Sequence, residues 1–245
     1  MKKLIAMIAL IAFAVTVSFA QSDYRQMEAV QMRVKPDKVD LFKKGMAAHN
    51  KKYHSADPYK AAVRMQITGP NAGSYIWVMG PTTWTQMDGR PGKGEHDTDW
   101  EKNVAAYCDY ISPPAYWRMV KDINYDPAPG KNTMMSRARF NEVRPGQMDR
   151  FLELMKRIAA TNKHVKSSMS FTLATRQDWA RGSNVINFGG FDKWAQLEGN
   201  PNFSKGYEEL YGEGSWDRFL EEIGMCIDRS RTYQSISELL PDLGG

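Results

Sequence analysis

In the second half of the chain, hydrophobic positions change their spacing in a set order. Residues 136–143 read as an extended strand, and Pro145 opens a helix at the position where a missing N–H costs nothing. Met148, Phe151, Leu152, Met155, Ile158 and Ala159 then recur at intervals of three and four, so one helical face is apolar. Met169, Phe171 and Leu173 alternate with other residues, which is the period of a strand. A polar turn over 176–184 leads into a third strand, 185–190, and a helix led by Trp216 and a last strand over 231–236 complete the set. The first half predicts the same order: strand 27–34, helix 36–53, strands 60–67 and 74–80, helix 99–111 and strand 115–121. Pro113 and Pro114 stop the second of these helices, and residues 124–133, with Pro127, Pro129 and Gly130, read as a linker.

The repetition extends to individual residues. Val34-Lys35-Pro36, Asp40 and Phe42 recur as Val143-Arg144-Pro145, Asp149 and Phe151 at one constant offset. Gly80, Trp84, Gln86, Gly89 and Pro91 recur as Gly190, Trp194, Gln196, Gly199 and Pro201, and Trp100 corresponds to Trp216 after a longer insertion. The expected fold is therefore α+β, with two tandem ferredoxin-like βαββαβ units over residues 21–123 and 134–245. Each unit makes a four-stranded antiparallel sheet with both helices on one face. Two units can stack their bare faces and form an intramolecular dimeric α/β-barrel. Strand alternation assigns Ile76 and Val78, with Ile186 and Phe188, to the helix side. Tyr75 and Trp77 take the opposite face, as do Arg64 and Gln66 on the second strand. Arg137, Arg139 and Asn141 share one face of the strand that opens the second unit.

The strand ending in Val143-Arg144-Pro145-Gly146 and its amphipathic helix resemble the dimeric α/β-barrel superfamily, in particular its antibiotic-biosynthesis-monooxygenase-like branch. So does Phe191-Asp192-Lys193-Trp194-Ala195-Gln196-Leu197-Glu198 followed by Pro201-Asn202-Phe203. The resemblance implies paired ferredoxin-like sheets, usually supplied by two chains and here by one. It also implies cofactor-independent monooxygenase or isomerase chemistry on an aromatic or polyketide-like compound. Haem-degrading, dye-peroxidising and purely binding proteins share that fold, so it does not by itself select a function. The haem-degrading type pairs an Asn with a His; Asn141 lies on a suitable strand, but no histidine follows His164.

Composition narrows the compartment and the partners. Lys2 and Lys3, an uncharged apolar run over 4–17 and the small residues Ser18 and Ala20 have the layout of a secretory signal peptide cut after Ala20. The mature protein is expected to be exported, periplasmic or extracellular, without a membrane span. The whole chain carries a net charge of +5, which falls by two when Lys2 and Lys3 leave, and no basic block suggests nucleic acid. A hydrophobic share of 42% suffices for a packed core. Cys108 and Cys226 fall in apolar helical patterns and read as small buried residues, with a disulfide or a reactive thiol as the alternatives.

Candidate chemistry is sparse. There is no GxSxG, P-loop or dinucleotide fingerprint, and no HxH, HExxH or CxxC. His49 and His54 are five apart and are expected on different sides of a helix, and Thr98 with Glu101 reads as a capping box that explains the setting of His96. Neither a metal nor a cofactor is expected. Trp84, Trp100, Trp194 and Trp216 recur between the halves and read as packing residues. The informative anomaly is cationic: arginines fall on strand faces that two-sided burial would make apolar. Arg64, Tyr75, Trp77, Arg137, Arg139 and Asn141 are therefore expected to line a partly polar cavity for an anionic or aromatic small molecule. The functional expectation is an exported binding protein; the alternatives are an enzyme of the resembled superfamily and a structural or interaction protein of the envelope. A small-molecule ligand and self-association are the expected partners.

Overall fold

Val30, Met32 and Val34 all point to one side of the first strand, and all are buried. That stripe needs a covering element, and the chain supplies one at once. Pro36 begins a short 3-10 turn that feeds the helix α1 (Val39–Tyr53), whose Phe42, Met46, His49 and Asn50 are buried at helical spacing. The computed structural model describes residues 25–130, 133–178 and 182–245. The expected export signal, 1–20, lies outside them.

The remaining elements follow in order: β1 (Gln26–Val34), β2 (Ala61–Gln66), β3 (Tyr75–Thr82), α2 (Trp84–Met87), α3 (Glu95–Asn103), β4 (Cys108–Ile111) and β5 (Ala115–Tyr125). The second half runs β6 (Met135–Asn141), α4 (Met148–His164), β7 (Phe171–Arg176), β8 (Val185–Phe191), α5 (Phe203–Tyr211), α6 (Ser215–Cys226) and β9 (Tyr233–Leu239). The strands pair in the order β3-β2-β9-β6-β8-β7-β5-β1, and β1 pairs back to β3. The result is a closed antiparallel barrel of eight strands, with β4 attached to the end of β1. Among the described residues closure leaves only the short β4 as an edge, which is how such sheets avoid open pairing. The halves join at two seams, β2–β9 and β5–β7.

Helices sit outside the barrel and make two separate cores. One gathers Phe42, Met46, Val63, Met79 and Val104; the other gathers Phe151, Leu154, Leu173, Tyr207 and Phe219. Gly45 permits the first: a Cβ there would stand 1.8 Å from the Asn103 carbonyl oxygen, so α1 and α3 could not approach so closely. Inside the barrel, Phe140 stacks on Tyr233 at 4.6 Å, Trp117 stands 6.4 Å from Phe140, and the Arg176 guanidinium lies over Trp117. The C-terminal turn crosses to the first half, where Leu243 enters its core and accepts a 2.6 Å hydrogen bond from Asn50 Nδ2.

Several expectations are corrected. Tyr75 and Trp77 face the helices, and Ile76 and Val78 face into the barrel. The register sets Trp77 opposite Val30 and Tyr75 opposite Met32, so both join the buried stripe of β1. The helix expected over 99–111 ends at Asn103, because residues 108–111 pair with the free edge of β1 instead. Cys108 is thus half-buried on a strand, Cys226 is buried at the end of α6, and both are free. Thr98 does not cap α3, whose N-cap is Gly94; its hydroxyl donates to the Gly94 carbonyl, and Thr83 with Gln86 forms a capping box at α2 instead. Pro145 precedes α4 by a turn, the last strand starts at Tyr233, and β5 extends to Tyr125, into the expected linker. Trp84 and Trp194 are exposed, each against one ring, whereas Trp100 and Trp216 pack on the two cores. Among the described residues no helix is long and apolar enough to cross a membrane.

Candidate functional site

β6 carries Arg137, Arg139 and Asn141 on its outward face, because alternate residues of a strand share a side. The helices over this face do not fully cover it. A cavity of about 1070 Å³ opens between β6, β8 and the helices α4 and α6. Its apolar wall is built from Phe151, Met155, Trp216 and Phe219; its polar wall is built from the two arginines, Asn141, Asn187 and Arg229. Asn141 is buried and donates to Asn187 Oδ1 at 3.1 Å, which holds both amides at the floor.

Among the described residues the three guanidinium groups are paired with no carboxylate, although Glu198 also lines the cavity. Among the described residues, none of Arg137, Arg139 and Arg229 makes a side-chain hydrogen bond or an ion pair. Burial lowers the Arg137 pKa below the ordinary arginine value. Burial lowers that of Arg139 as well, and the neighbouring cations Arg229 and Arg137 lower it further. Like charges held together in a partly desolvated cleft are unfavourable unless water or a ligand anion compensates them.

The other residues expected at this site lie elsewhere. Arg64 projects from the opposite face of the sheet and donates to Ser237 Oγ at 3.0 Å and to the Met134 carbonyl at 3.0 Å across the β2–β9 seam. Burial lowers its pKa to about 10. Tyr75 packs on Phe42 in the first core. Trp77 is buried there too, and its Nε1 donates to Asn50 Oδ1 at 2.9 Å. The six residues therefore do not share one cavity. The sequence reading missed Arg229, which arrives from the far end of α6; nothing local marks it.

It also missed a second cluster. A cavity of about 720 Å³ opens at the corresponding place on the first half, bordered by Glu28, Trp77, Arg90, His96 and Trp100. Beside it, His49, His54 and His96 bring one ring nitrogen each to within 4.8 Å of one another. The expectation that His49 and His54 diverge is overturned, because His54 is the C-cap of α1 and leaves helical geometry at φ −132° and ψ 31°. His49 is fully buried, and its Nδ1 meets Asp99 Oδ2 at 2.7 Å. His54 Nδ1 meets the Tyr59 carbonyl at 3.1 Å, and His96 Nδ1 meets Asp97 Oδ1 at 2.8 Å. Burial pushes His54 down to about 4 and lowers His49, so both are neutral near pH 7. The legible signal was His96 beside Asp97, with Asp99 close by.

No protein-family model and no curated protein matches the chain. Solved structures do match in fold. A candidate monooxygenase from Fusobacterium nucleatum subsp. nucleatum aligns over 89% of this chain and 94% of its own, with TM-score 0.61 and 11% identity. An anthrone oxidase-like protein aligns over 90% and 93%, with TM-score 0.56 and 11% identity. A haem-binding protein from Thermus thermophilus aligns over 89% and 92%, with TM-score 0.52 and 11% identity. The fold class is thus an α+β protein with a closed barrel and external helices, like its neighbours of the dimeric α/β-barrel type. Identity this low carries the fold and nothing further.

Proposed function

We propose that the protein binds a small organic anion in the cleft of its second half. The observation that carries this reading is the convergence of Arg137, Arg139 and Arg229 on one cavity in which none of them is ion-paired, Glu198 of the same lining included. A guanidinium fork suits a carboxylate or similar oxyanion, and the wall of Phe151, Met155, Trp216 and Phe219 suits an aromatic or otherwise apolar body. The lining includes no histidine or cysteine among the described residues, so an imidazole- or thiolate-ligated haem does not fit this cleft.

The frame of the reading is that two diverged tandem ferredoxin-like units make up the chain, after export directed by residues 1–20. Support for the repeat comes from the shared strand order of the halves, β5-β1-β3-β2 and β9-β6-β8-β7, and from the repeated residues in the chain. Neighbours named as monooxygenase and anthrone oxidase-like proteins favour a second reading, in which the bound anion is an aromatic substrate of a cofactor-independent enzyme of the antibiotic-biosynthesis-monooxygenase-like branch.

The deciding experiment is native mass spectrometry of the protein from its own host, followed by calorimetry with a panel of aromatic carboxylates. Saturable binding is expected, with Arg139→Ala weakening it by about 1.5–3 kcal/mol, the usual worth of a hydrogen bond to a charged group. Equal affinity in the variant would remove the cleft from the account. Oxygen uptake on adding the bound compound separates turnover from binding alone.

A further inference from the structure

We propose that His49, His54 and His96 form a binding site for one divalent transition metal of the zinc class, with an open coordination position facing the cavity of the first half. The argument is one of protons and lone pairs. Each Nδ1 faces an oxygen that can only accept: the Asp99 carboxylate, the Tyr59 carbonyl and the Asp97 carboxylate. Each ring therefore carries its hydrogen on Nδ1 and leaves a bare lone pair on Nε2. The Nε2 atoms of His54 and His96 face each other at 3.2 Å. Two bare lone pairs at that distance repel unless a cation lies between them. The third, His49 Nε2, is buried without any hydrogen-bond partner. A proton shared by His54 and His96 would relieve the first problem and leave the second; a metal ion relieves both.

The surroundings are those of a built site. A ring Nδ1 held by a carboxylate or carbonyl is the usual outer support of a metal-bound imidazole, because it sets the tautomer and raises ligand basicity. Three imidazoles at about 2.0–2.1 Å from a tetrahedral ion leave one position for water or an oxygen donor. The 3.2 Å separation of His54 and His96 suits that geometry, and a ring nitrogen of His49 lies within 4.8 Å of both. His54 and His96 border the cavity, so the open position faces it. The Trp77 ring stands 5.0 Å from His54 and the Trp100 ring 5.2 Å from His49, which shields the site from bulk water on two sides. Imidazole-only donors with no thiolate favour zinc, cobalt, nickel or copper over magnesium or calcium.

The test uses purified protein stripped with a chelator and then titrated with Zn²⁺ by calorimetry and with Co²⁺ by visible absorption. One equivalent of each metal is expected, with the intense bands of four-coordinate Co²⁺ and a higher melting temperature on Zn²⁺ addition. His96→Ala, the least buried ligand, should lose at least about 100-fold in affinity. Asp99→Asn, which keeps side-chain volume and spares the ligands, should lose about 10–100-fold, the usual effect of removing an outer partner. Arg139→Ala in the other cleft should bind both metals as the parent does. A folded parent protein with no saturable uptake of either metal would overturn the proposal and assign the pair to a shared proton. So would a folded His96→Ala that binds with parental affinity.

Discussion

The two outer clefts occupy matching places on the barrel and hold opposite contents. The offset that carries Val34 to Val143 also carries Glu28, Val30 and Met32 to Arg137, Arg139 and Asn141. Register agrees: Val30 lies opposite Trp77 in the β1–β3 pair, and Arg139 lies opposite Asn187 in β6–β8. In the first half the strand face is buried, Trp77 fills the space against Asn50, and Glu28 pairs with Arg90. In the second half two of the same three positions carry cations, Asn187 leaves room where a tryptophan would close it, and Glu198, the acid in the lining, pairs with neither cation. Where a closed barrel already supplies the frame, one wall can give up packing for charge. The other wall keeps its packing, gathers histidines, and holds its Arg90 paired with Glu28.

The comparison can be broken most forcefully at the paired positions of β3 and β8. Trp77→Ala should destabilise by about 3–5 kcal/mol, since it empties a buried indole site and leaves Asn50 Oδ1 without its donor. Asn187→Ala should cost only about 1 kcal/mol, the net worth of its hydrogen bond with Asn141. Urea unfolding of both variants measures the difference, and equal losses would mean the second cleft is as closed as the first. Next come the helix anchors, which should not differ between halves. Phe42 and Phe151 are both essentially fully buried, and each changed to Ala should cost about 3–5 kcal/mol. A loss below about 1 kcal/mol at either would show that its helix is not pinned there. Smaller still is Arg139→Ala without ligand, expected within about 0.5 kcal/mol of the parent by thermal unfolding, because no partner is lost. The smallest effect sharpens the charge argument. At equal ionic strength, sulfate should raise the parent's melting temperature by about 1–3 °C more than chloride does, beyond any such difference in Arg139→Ala. Identical salt responses in the two proteins would argue that the arginines do not act together on an anion.

Much of this was legible from local periodicity. A helix has only one way to show three-and-four spacing, so the faces of α4 that bury Phe151 and Met155 follow from the chain alone. Arg137, Arg139 and Asn141 share a side because strand period is two, whatever the fold does with that side. The helix expected over 99–111 was misread because Trp100 and Val104 pack at helical spacing, while Cys108 to Ile111 answer to the unpaired edge of β1. That edge is a tertiary fact.

The order of elements, the apolar faces of the long helices and the grouping of residues on each strand side were all written in the chain. Short-range geometry sets all three. Which strand side faced the helices was settled by packing. In a closed barrel both faces are covered, one by helices and one by the facing strands, so hydrophobicity does not tell them apart, and Trp77 and Ile76 exchanged roles. Packing also settled what meets across distance. Arg229 joins Arg137 and Arg139 only because α6 returns over β6, and His96 joins His49 and His54 only because α3 crosses α1 at Gly45. Such meetings depend on how rigid elements pack, and no local pattern of residues encodes them.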